Sequence, residues 1–286
     1  MPDKGLKYSP CKIILYKRMG NLSLLKERFG GELIVDVKYP DIRIFQQIID
    51  ATSKIMDEAN LYFTPEGMKV KGFDPAKTSY IEIYIPSTTF LEYNIGDENA
   101  RVGFNMARLS NILKRGMRGD PLVMKATYDR VLIEIESIVD KRYAFPNIEV
   151  AEPETGEPVF THDTEATLIA DPLKKILKDI ETFSNIVELD SETGETPRLS
   201  FRAFLEDPTM GKMESVLRSD SPAIISLTVK NNSNAKYDIG FLKPVLNLTR
   251  ISDTVEVKFS TDKPLELVFK TADETRVRYI MTPFIL

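Results

Sequence analysis

Few residues in this chain could carry covalent chemistry. It holds one histidine, His162, and one cysteine, Cys11, so zinc clusters built from His and Cys are excluded, as is the two-histidine HExxH arrangement. The sole Gly-Lys pair, Gly211-Lys212, runs into Met213 and not into Ser or Thr, so it makes no phosphate-binding P-loop. Neither G-x-S-x-G nor G-x-G-x-x-G occurs. Carboxylates are the one plentiful reactive type, with 43 Asp and Glu, which leaves a carboxylate-metal nuclease as the open enzyme class. No pair of acids at fixed spacing on apolar strands recommends it, and acids in this number ordinarily make a solvated surface. His162, next to Asp163 in a polar stretch, is expected to be an exposed loop residue. The expectation is no catalysis, no metal and no cofactor.

The remaining charged type is base, and its placement is uneven. The chain has a net charge of −5 over 286 residues. Apolar spacing near 3.6 predicts four helices, over 41–57, 105–118, 171–184 and 239–252. Their polar faces carry Arg43 and Lys54; Arg108, Lys114, Arg115 and Arg118; Lys174, Lys175 and Lys178; and Lys243 and Arg250. The second and fourth spans contain no acid at all. Residues 1–32 hold seven Lys and Arg against three acids. They read as a tail, as an upstream extension before Met19, or as an additional DNA- or partner-binding arm. The rest of the chain is strongly acidic. A basic surface on repeated helices within an acidic body fits contact with phosphates. Without base-reading Asn and Gln pairs or stacking aromatics, that contact is expected to ignore sequence. A hub that binds an acidic protein is the alternative for such a surface.

These helices need a frame, and the remaining pattern is mostly alternating strand. Residues 33–38 alternate, as do stretches within 60–86, 100–105, 122–137, 186–229 and 254–281, punctuated by Pro65-Glu66-Gly67, Asp74-Pro75, Asp129-Arg130 and Asp262-Lys263-Pro264. The Asp171-Pro172 pair is expected at the start of the third helix. Helix and strand order runs once through and then repeats. At an offset of 133, Leu113, Asp120, Lys125, Asp129 and Leu132 meet Leu246, Asp253, Lys258, Asp262 and Leu265. The fold class is therefore α+β, as two similar domains, each with two helices packed on antiparallel sheets. The boundaries are a basic extension over 1–32, a first domain over 33–141, a connecting loop over 142–165 and a second domain over 166–286. The loop is rich in Pro and Glu, yet Tyr143, Phe145, Ile148 and Val150 are too apolar for an inert linker. No apolar run approaches the length of a membrane span, no secretory signal is evident, and a single cysteine suits a reducing setting, so a cytoplasmic, nucleoid-associated protein without membrane contact is expected.

Four segments carry a further resemblance: DEANLYFTPEGMKVKGFDP (57–75), GFNMARLSNILKRG (103–116), KFSTDKPLELVFK (258–270) and RYIMTP (278–283). Their joint order from residue 33 onward resembles the sliding clamps of the proliferating-cell-nuclear-antigen type, especially archaeal ones. The resemblance implies a pseudo-six-fold ring of three subunits, identical or related, with helices lining the hole and the eleven bases above facing duplex DNA. It implies a non-enzymatic processivity factor for DNA replication and repair. By position, residues 131–137 (Val131, Ile133, Ile135) would pair with a neighbour's 212–218 (Met213, Ser215, Leu217). It also implies a pocket for short peptides of a DNA polymerase, clamp loader, flap nuclease or DNA ligase, formed by Phe73, Tyr143, Phe145, Ile148, Pro264, Ile280, Thr282 and Pro283. Two departures bear on partner choice. Phe73 stands where the family often has methionine, and Thr282-Pro283 is followed by Phe284-Ile285-Leu286 in place of a charged tail. That apolar terminus could fill the chain's own pocket.

Overall fold

The computed structural model describes residues 31–151, 156–205 and 211–285, so most of the basic extension lies outside the described residues. The first half runs β1 (Val35–Tyr39), α1 (Ile42–Thr52), β2 (Glu58–Thr64), β3 (Gly67–Phe73), β4 (Ser79–Pro86), β5 (Glu92–Ile95), β6 (Ala100–Asn105), α2 (Met106–Leu113), β7 (Leu122–Ala126), β8 (Arg130–Ile135) and β9 (Lys141–Pro146). The second half repeats the order: β10 (Thr164–Ile169), α3 (Ala170–Glu181), β11 (Ile186–Glu192), β12 (Arg198–Phe204), β13 (Lys212–Arg218), β14 (Ile224–Val229), β15 (Ser233–Asp238), α4 (Ile239–Leu246), β16 (Thr254–Phe259), β17 (Leu265–Lys270) and β18 (Arg276–Met281).

Local chemistry starts the helices. Asp41 accepts from the Arg43 N–H, Asn105 from Arg108, and Asp238 from Gly240, each satisfying a first-turn donor. The third helix differs from expectation. It begins at Ala170 behind Ile169, with no side-chain cap, and Asp171 sits inside its first turn, where its charge favours the helix dipole. Pro244 falls inside α4 and removes a backbone donor, and the helix gives way after Leu246 to a 3₁₀ turn over Asn247–Arg250.

Three sheets form. One is β5-β1-β7-β8-β9, another β13-β12-β11-β15, and the third is nine strands long, β14-β10-β16-β17-β18-β4-β3-β2-β6. The nine-stranded sheet is the five-stranded sheet of the second half joined to the four-stranded sheet of the first, through antiparallel β18 and β4. Each half therefore owns one five-stranded and one four-stranded sheet. The apolar faces of these sheets and the helices share a continuous core that includes Phe45, Phe63, Phe201, Phe259 and Tyr279.

The repeat is geometric as well as sequential. The Ile42 N–H donates to Asp120 O at 2.9 Å, and in the second half the Ala170 N–H donates to Asp253 O at 2.8 Å. Asp120 and Asp253 are one of the pairs in the sequence echo. The echo slips at its last pair: along the ladders the counterpart of Leu265 is Val131, one residue before Leu132.

Two expectations are corrected here. The loop over 142–165 is not loop throughout: Lys141–Pro146 is strand β9, fully paired with β8, and residues 164–165 already belong to β10. An alternating run, with Tyr143 and Phe145 on the inner face, outweighs the Pro and Glu composition that follows it. Consequently β8 has neighbours on both sides, β7 and β9. Val131, Ile133 and Ile135 are fully buried within the subunit, so residues 131–137 have no free edge to offer a neighbour.

Tyr279, on β18 at the junction, is fully buried and its hydroxyl donates to Phe241 O at 2.6 Å. The Tyr279→Phe variant should therefore lose about 1 kcal/mol of stability through that one bond. A denaturant midpoint lowered at unchanged slope is the expected readout.

Candidate functional site

The helices form one contiguous row. α1 packs on α2, and across the two halves it also meets α4 and the 3₁₀ turn, which in turn meet α3. The order along the row is α2, α1, α4, α3. Their apolar faces are buried against the sheets, and ten of the eleven predicted bases are exposed on the other side. Lys174 alone is half-buried. Its ammonium pKa lies below the ordinary lysine value, first because burial disfavours charge and then because Arg250 and Lys178 repel it. Lys174, Lys178 and Arg250 thus converge from α3 and the 3₁₀ turn, a cluster that spacing within single helices does not reveal.

Not every base is equally available. Lys54 and Lys114 share Asp50 at 2.9 and 2.8 Å, and Lys243 holds Glu181 at 2.9 Å. The other eight, Arg43, Arg108, Arg115, Arg118, Lys174, Lys175, Lys178 and Arg250, have no carboxylate in ion-pair range among the described residues. Such a face attracts a polyanion at moderate charge density.

Asp50 is the electrostatic brake on this face. Burial alone would raise its carboxyl, but hydrogen bonds from Lys114 and Lys54, the Lys54 charge and Ser110 together bring it from 3.8 down to about 2. A folded-state pKa below the unfolded value stabilises the protein above pH 3.8, and that contribution is lost as pH falls toward about 2.

The predicted peptide-pocket residues divide among separate places. Phe73 packs on Tyr80 with ring centroids 4.8 Å apart, and Tyr80 stands opposite Ile280 in the β18–β4 register. A cavity of about 340 Å³ opens beside this row, lined by Phe73, Lys71, Pro75 and Lys77 with Val150 and Ala151 of the linker. The linker is tied down around it. Lys71 pairs with Glu157 at 3.0 Å, Arg278 donates to Pro158 O at 2.9 Å, and Asn60 donates to Val150 O at 2.9 Å. Phe145 and Ile148 line a different cavity of about 190 Å³, with Arg108 and Leu109. Tyr143 and Phe145 lie on β9 and pack against the core, so their place is an edge strand and not a linker. Pro264, Thr282 and Pro283 line neither cavity, although the Thr282 N–H donates to Thr78 O at 2.9 Å. The terminal segment does not turn into the chain's own pocket. Phe284 N–H donates to Lys236 O at 2.7 Å, along the outer edge of β15.

His162 is also corrected. It is buried, not exposed, with Nε2 3.6 Å from a Glu266 carboxylate oxygen. The residue begins the approach to β10, where the chain re-enters the sheet, and the neighbouring polar letters conceal this. Burial pushes the Glu266 carboxyl up, but the facing imidazole, Arg278 and Lys258 bring it to about 2. Among the described residues no three His, Cys, Asp or Glu side chains converge as a metal-binding group. No described helix is long and apolar enough to cross a membrane.

A double-layered repeat with a basic helix row defines the clamp class of architecture, and comparison with known proteins identifies the family. Residues 34–148 match the family described as proliferating cell nuclear antigen, N-terminal domain. The DNA polymerase sliding clamp 1 of Aeropyrum pernix is 39% identical over 245 residues, covering 85% of this chain and 97% of that protein. The DNA polymerase sliding clamp of Thermofilum pendens is 29% identical over 87% of this chain and 99% of its own length. Among solved structures, PCNA from Thermococcus kodakaraensis superposes at a TM-score of 0.79 with 22% identity, covering 87% of this chain and all of that one. The chain belongs to the proliferating cell nuclear antigen family.

The Asp50→Asn variant releases two ammonium groups on the helix face. Its affinity for duplex DNA should rise, and the plot of log affinity against log salt should steepen by roughly 1 to 2 units. Its acid unfolding should also lose the component between pH 3.8 and about 2.

Proposed function

We propose that the chain is a subunit of a DNA sliding clamp: a ring that encloses duplex DNA without reading its sequence and tethers replication enzymes to it, acting by retention and not by catalysis. The observation that carries this is the pair of unfilled edges. Within the chain, β18 and β4 pair to join the two halves. Their counterparts in the repeat are β9 and β13, and each is, among the described residues, the last strand of its sheet with one side unpaired. A head-to-tail contact of β9 with the β13 of a neighbour repeats the internal junction. Three subunits then supply six similar domains and a closed ring without those two open edges. The earlier expectation of 131–137 at this contact is replaced by β9, whereas Met213, Ser215 and Leu217 keep their place on β13.

Partial burial supports the same reading. Tyr279 and Ile81 are fully buried at the internal junction, but their counterparts Tyr143 and Met213 are only half-buried at the open edges. Repetition of the contact brings α3 of one subunit beside α2 of the next, as α1 meets α4 within the chain. The basic row then continues around the hole.

In this reading polymerase and other enzymes dock through short peptides with apolar anchors, in the cavity between Phe73 and the linker residues Val150 and Ala151. Its support is a recess of about 340 Å³ with a half-buried aromatic floor and a linker pinned on both sides.

The test is topological. Assembled protein should stay on circular duplex DNA through a salt wash and leave after linearisation. Retention that ignores linearisation would count against a ring. The Arg115→Glu/Lys175→Glu variant should keep its melting temperature but bind DNA roughly tenfold or more weakly at about 0.1 M salt. Unfolding of that variant would show that these side chains are structural.

A further inference from the structure

The linker does more than connect the halves. Going back from β10, His162 lies beside Glu266 on β17. Pro158 O accepts from Arg278 on β18 at 2.9 Å, and Glu157 pairs with Lys71 on β3 at 3.0 Å. Glu266 and Arg278 alternate with the core residues Leu265, Leu267, Val277 and Tyr279, so this strap runs on the sheet face turned away from the core. It passes over the β18–β4 junction, from one half to the other. Its first residues, Asn147 and Ile148, lie against Gly103 on β6.

The repeat identifies what holds each of these places elsewhere. Met124 and Val257 are counterparts at the offset of 133, and they face Val37 on β1 and Ala166 on β10. Val37 and Ala166 are 129 apart, so the approach to β1 corresponds to the approach to β10. Two hydrogen bonds agree. The Gly96 N–H donates to Ile34 O at 3.0 Å and the Lys230 N–H to Asp163 O at 2.8 Å, and Ile34 and Asp163 are again 129 apart. Leu33 therefore holds the place of His162, and residues 28–32 that of 157–161. The ladders β7-β8-β9 and β16-β17-β18 put Leu132 in the place of Glu266 and Arg142 in that of Arg278. The ladders β6-β2-β3 and β15-β11-β12 put Arg202 in the place of Lys71 and Phe204 in that of Phe73.

The buried pair His162–Glu266 thus becomes the apolar pair Leu33–Leu132, with Leu33 half-buried and Leu132 5% exposed. At the other end of the path Phe284 holds the place of Ile148. Its described apolar side chains are bare: Leu205 is 36%, Phe284 41% and Ile285 75% exposed. The family match begins at residue 34, so whatever precedes Leu33 is this chain's own. Residues 22–29 read Leu-Ser-Leu-Leu-Lys-Glu-Arg-Phe and lie outside the described residues.

We propose, resting on the clamp reading, that residues 22–33 of one copy lie across the outer face of the adjoining copy's sheet β13-β12-β11-β15. With Phe284 and Ile285 of that copy they complete a second linker, this one over the subunit junction. The length fits. From β8 over β9 and the adjoining β13, β12 and β11 to β15 is five strand spacings, ~24 Å. The eight residues from Leu33 back to Leu25 span up to ~26 Å. Leu22, Leu24 and Leu25 then cover the bare apolar side chains. Arg28 enters the carboxylates of Glu188, Asp190 and Glu214, which surround Arg202 at 3.5, 3.1 and 2.7 Å.

Two measurements on the full chain test this. In a Cys11→Ser background, a chain carrying Leu25→Cys is mixed with a mass-tagged chain carrying Ile285→Cys and oxidised. A disulfide joining the two masses is expected, in excess of any dimer that either chain forms alone. Second, light scattering compares Leu24→Ser/Leu25→Ser with Phe284→Ser/Ile285→Ser. Each variant should weaken self-assembly roughly fivefold or more at an unchanged melting temperature. The combined variant should be no weaker than the worse of the two, because both remove one contact. A wild-type chain that assembles with itself, yet gives no mixed disulfide and loses nothing in either variant, would overturn the second linker and leave the clamp reading standing. Assembly only with a related clamp chain would overturn a second copy as the source of the strap. Failure to assemble with either, together with no retention on circular DNA, would overturn the clamp reading itself.

Discussion

The structure depends on one antiparallel contact, β18 against β4. It joins the five-stranded sheet of the second half to the four-stranded sheet of the first, and it does so in the middle of a sheet. Charge that is mostly buried is costly unless paired, and the paired set here is explicit: Arg278 with Glu266 and Glu82, the more exposed Arg276 with Glu82, and Lys258 nearby. Burial disfavours the Arg278 charge, but the carboxylates more than offset this and hold its pKa above the ordinary arginine value. A slip of this strand pair would leave a largely buried charge without its partner, which is the costly case.

That junction also sets where the helices lie. Because the halves share a sheet, α1 and α4 come into contact, and four short amphipathic helices become one row. None of these helices would be stable in isolation at 8 to 12 residues, so each needs the sheet beneath it. The sheet thereby fixes the spacing of the bases. Their number is tempered: Asp50 occupies two lysines and Glu181 one.

Much of this was legible in the sequence, and the failures have physical causes. Strand alternation and helix periodicity gave nearly every element, because one face of each is buried and the pattern is forced. The echo at 133 residues marked real counterparts such as Asp120 and Asp253, whose carbonyls receive equivalent bonds. The clearest miss was β9. The Arg142-Tyr143 pair repeats Arg278-Tyr279, a signal present in the letters, but the following Pro and Glu residues led the whole stretch to be read as loop. That reading left β8 as the apparent last strand, although β9 pairs along its other side. His162 was missed for a different reason: burial of a lone polar residue leaves no periodic trace. The pairing of Lys54 with Lys114 through Asp50 was out of reach altogether, since it joins helices 60 residues apart in the chain.

The edges of the three sheets are not equally protected. β6 and β15 are counterparts, and each is covered by the segment that follows the last strand of its half. Asn147 accepts from the Gly103 N–H on β6 at 2.9 Å and donates to Arg101 O, while Phe284 reaches Lys236 on β15. Gly103 leaves room for this: a Cβ there would lie 2.0 Å from Ile148 O. The apolar end of the chain is thus the second-half version of the linker's first residues, with Phe284 in the place of Ile148. β5 and β14 are the other counterpart pair. β5 is only four residues long, and β14 meets β10 with a register shift at Thr167 and Leu168; short or irregular edges are poor templates for another strand. β9 and β13 have neither protection. They are six and seven residues long, regular, and carry half-buried apolar side chains on the inner face. Among the described residues four of the six sheet edges are guarded in one of these ways, and β9 and β13 are the two that are not.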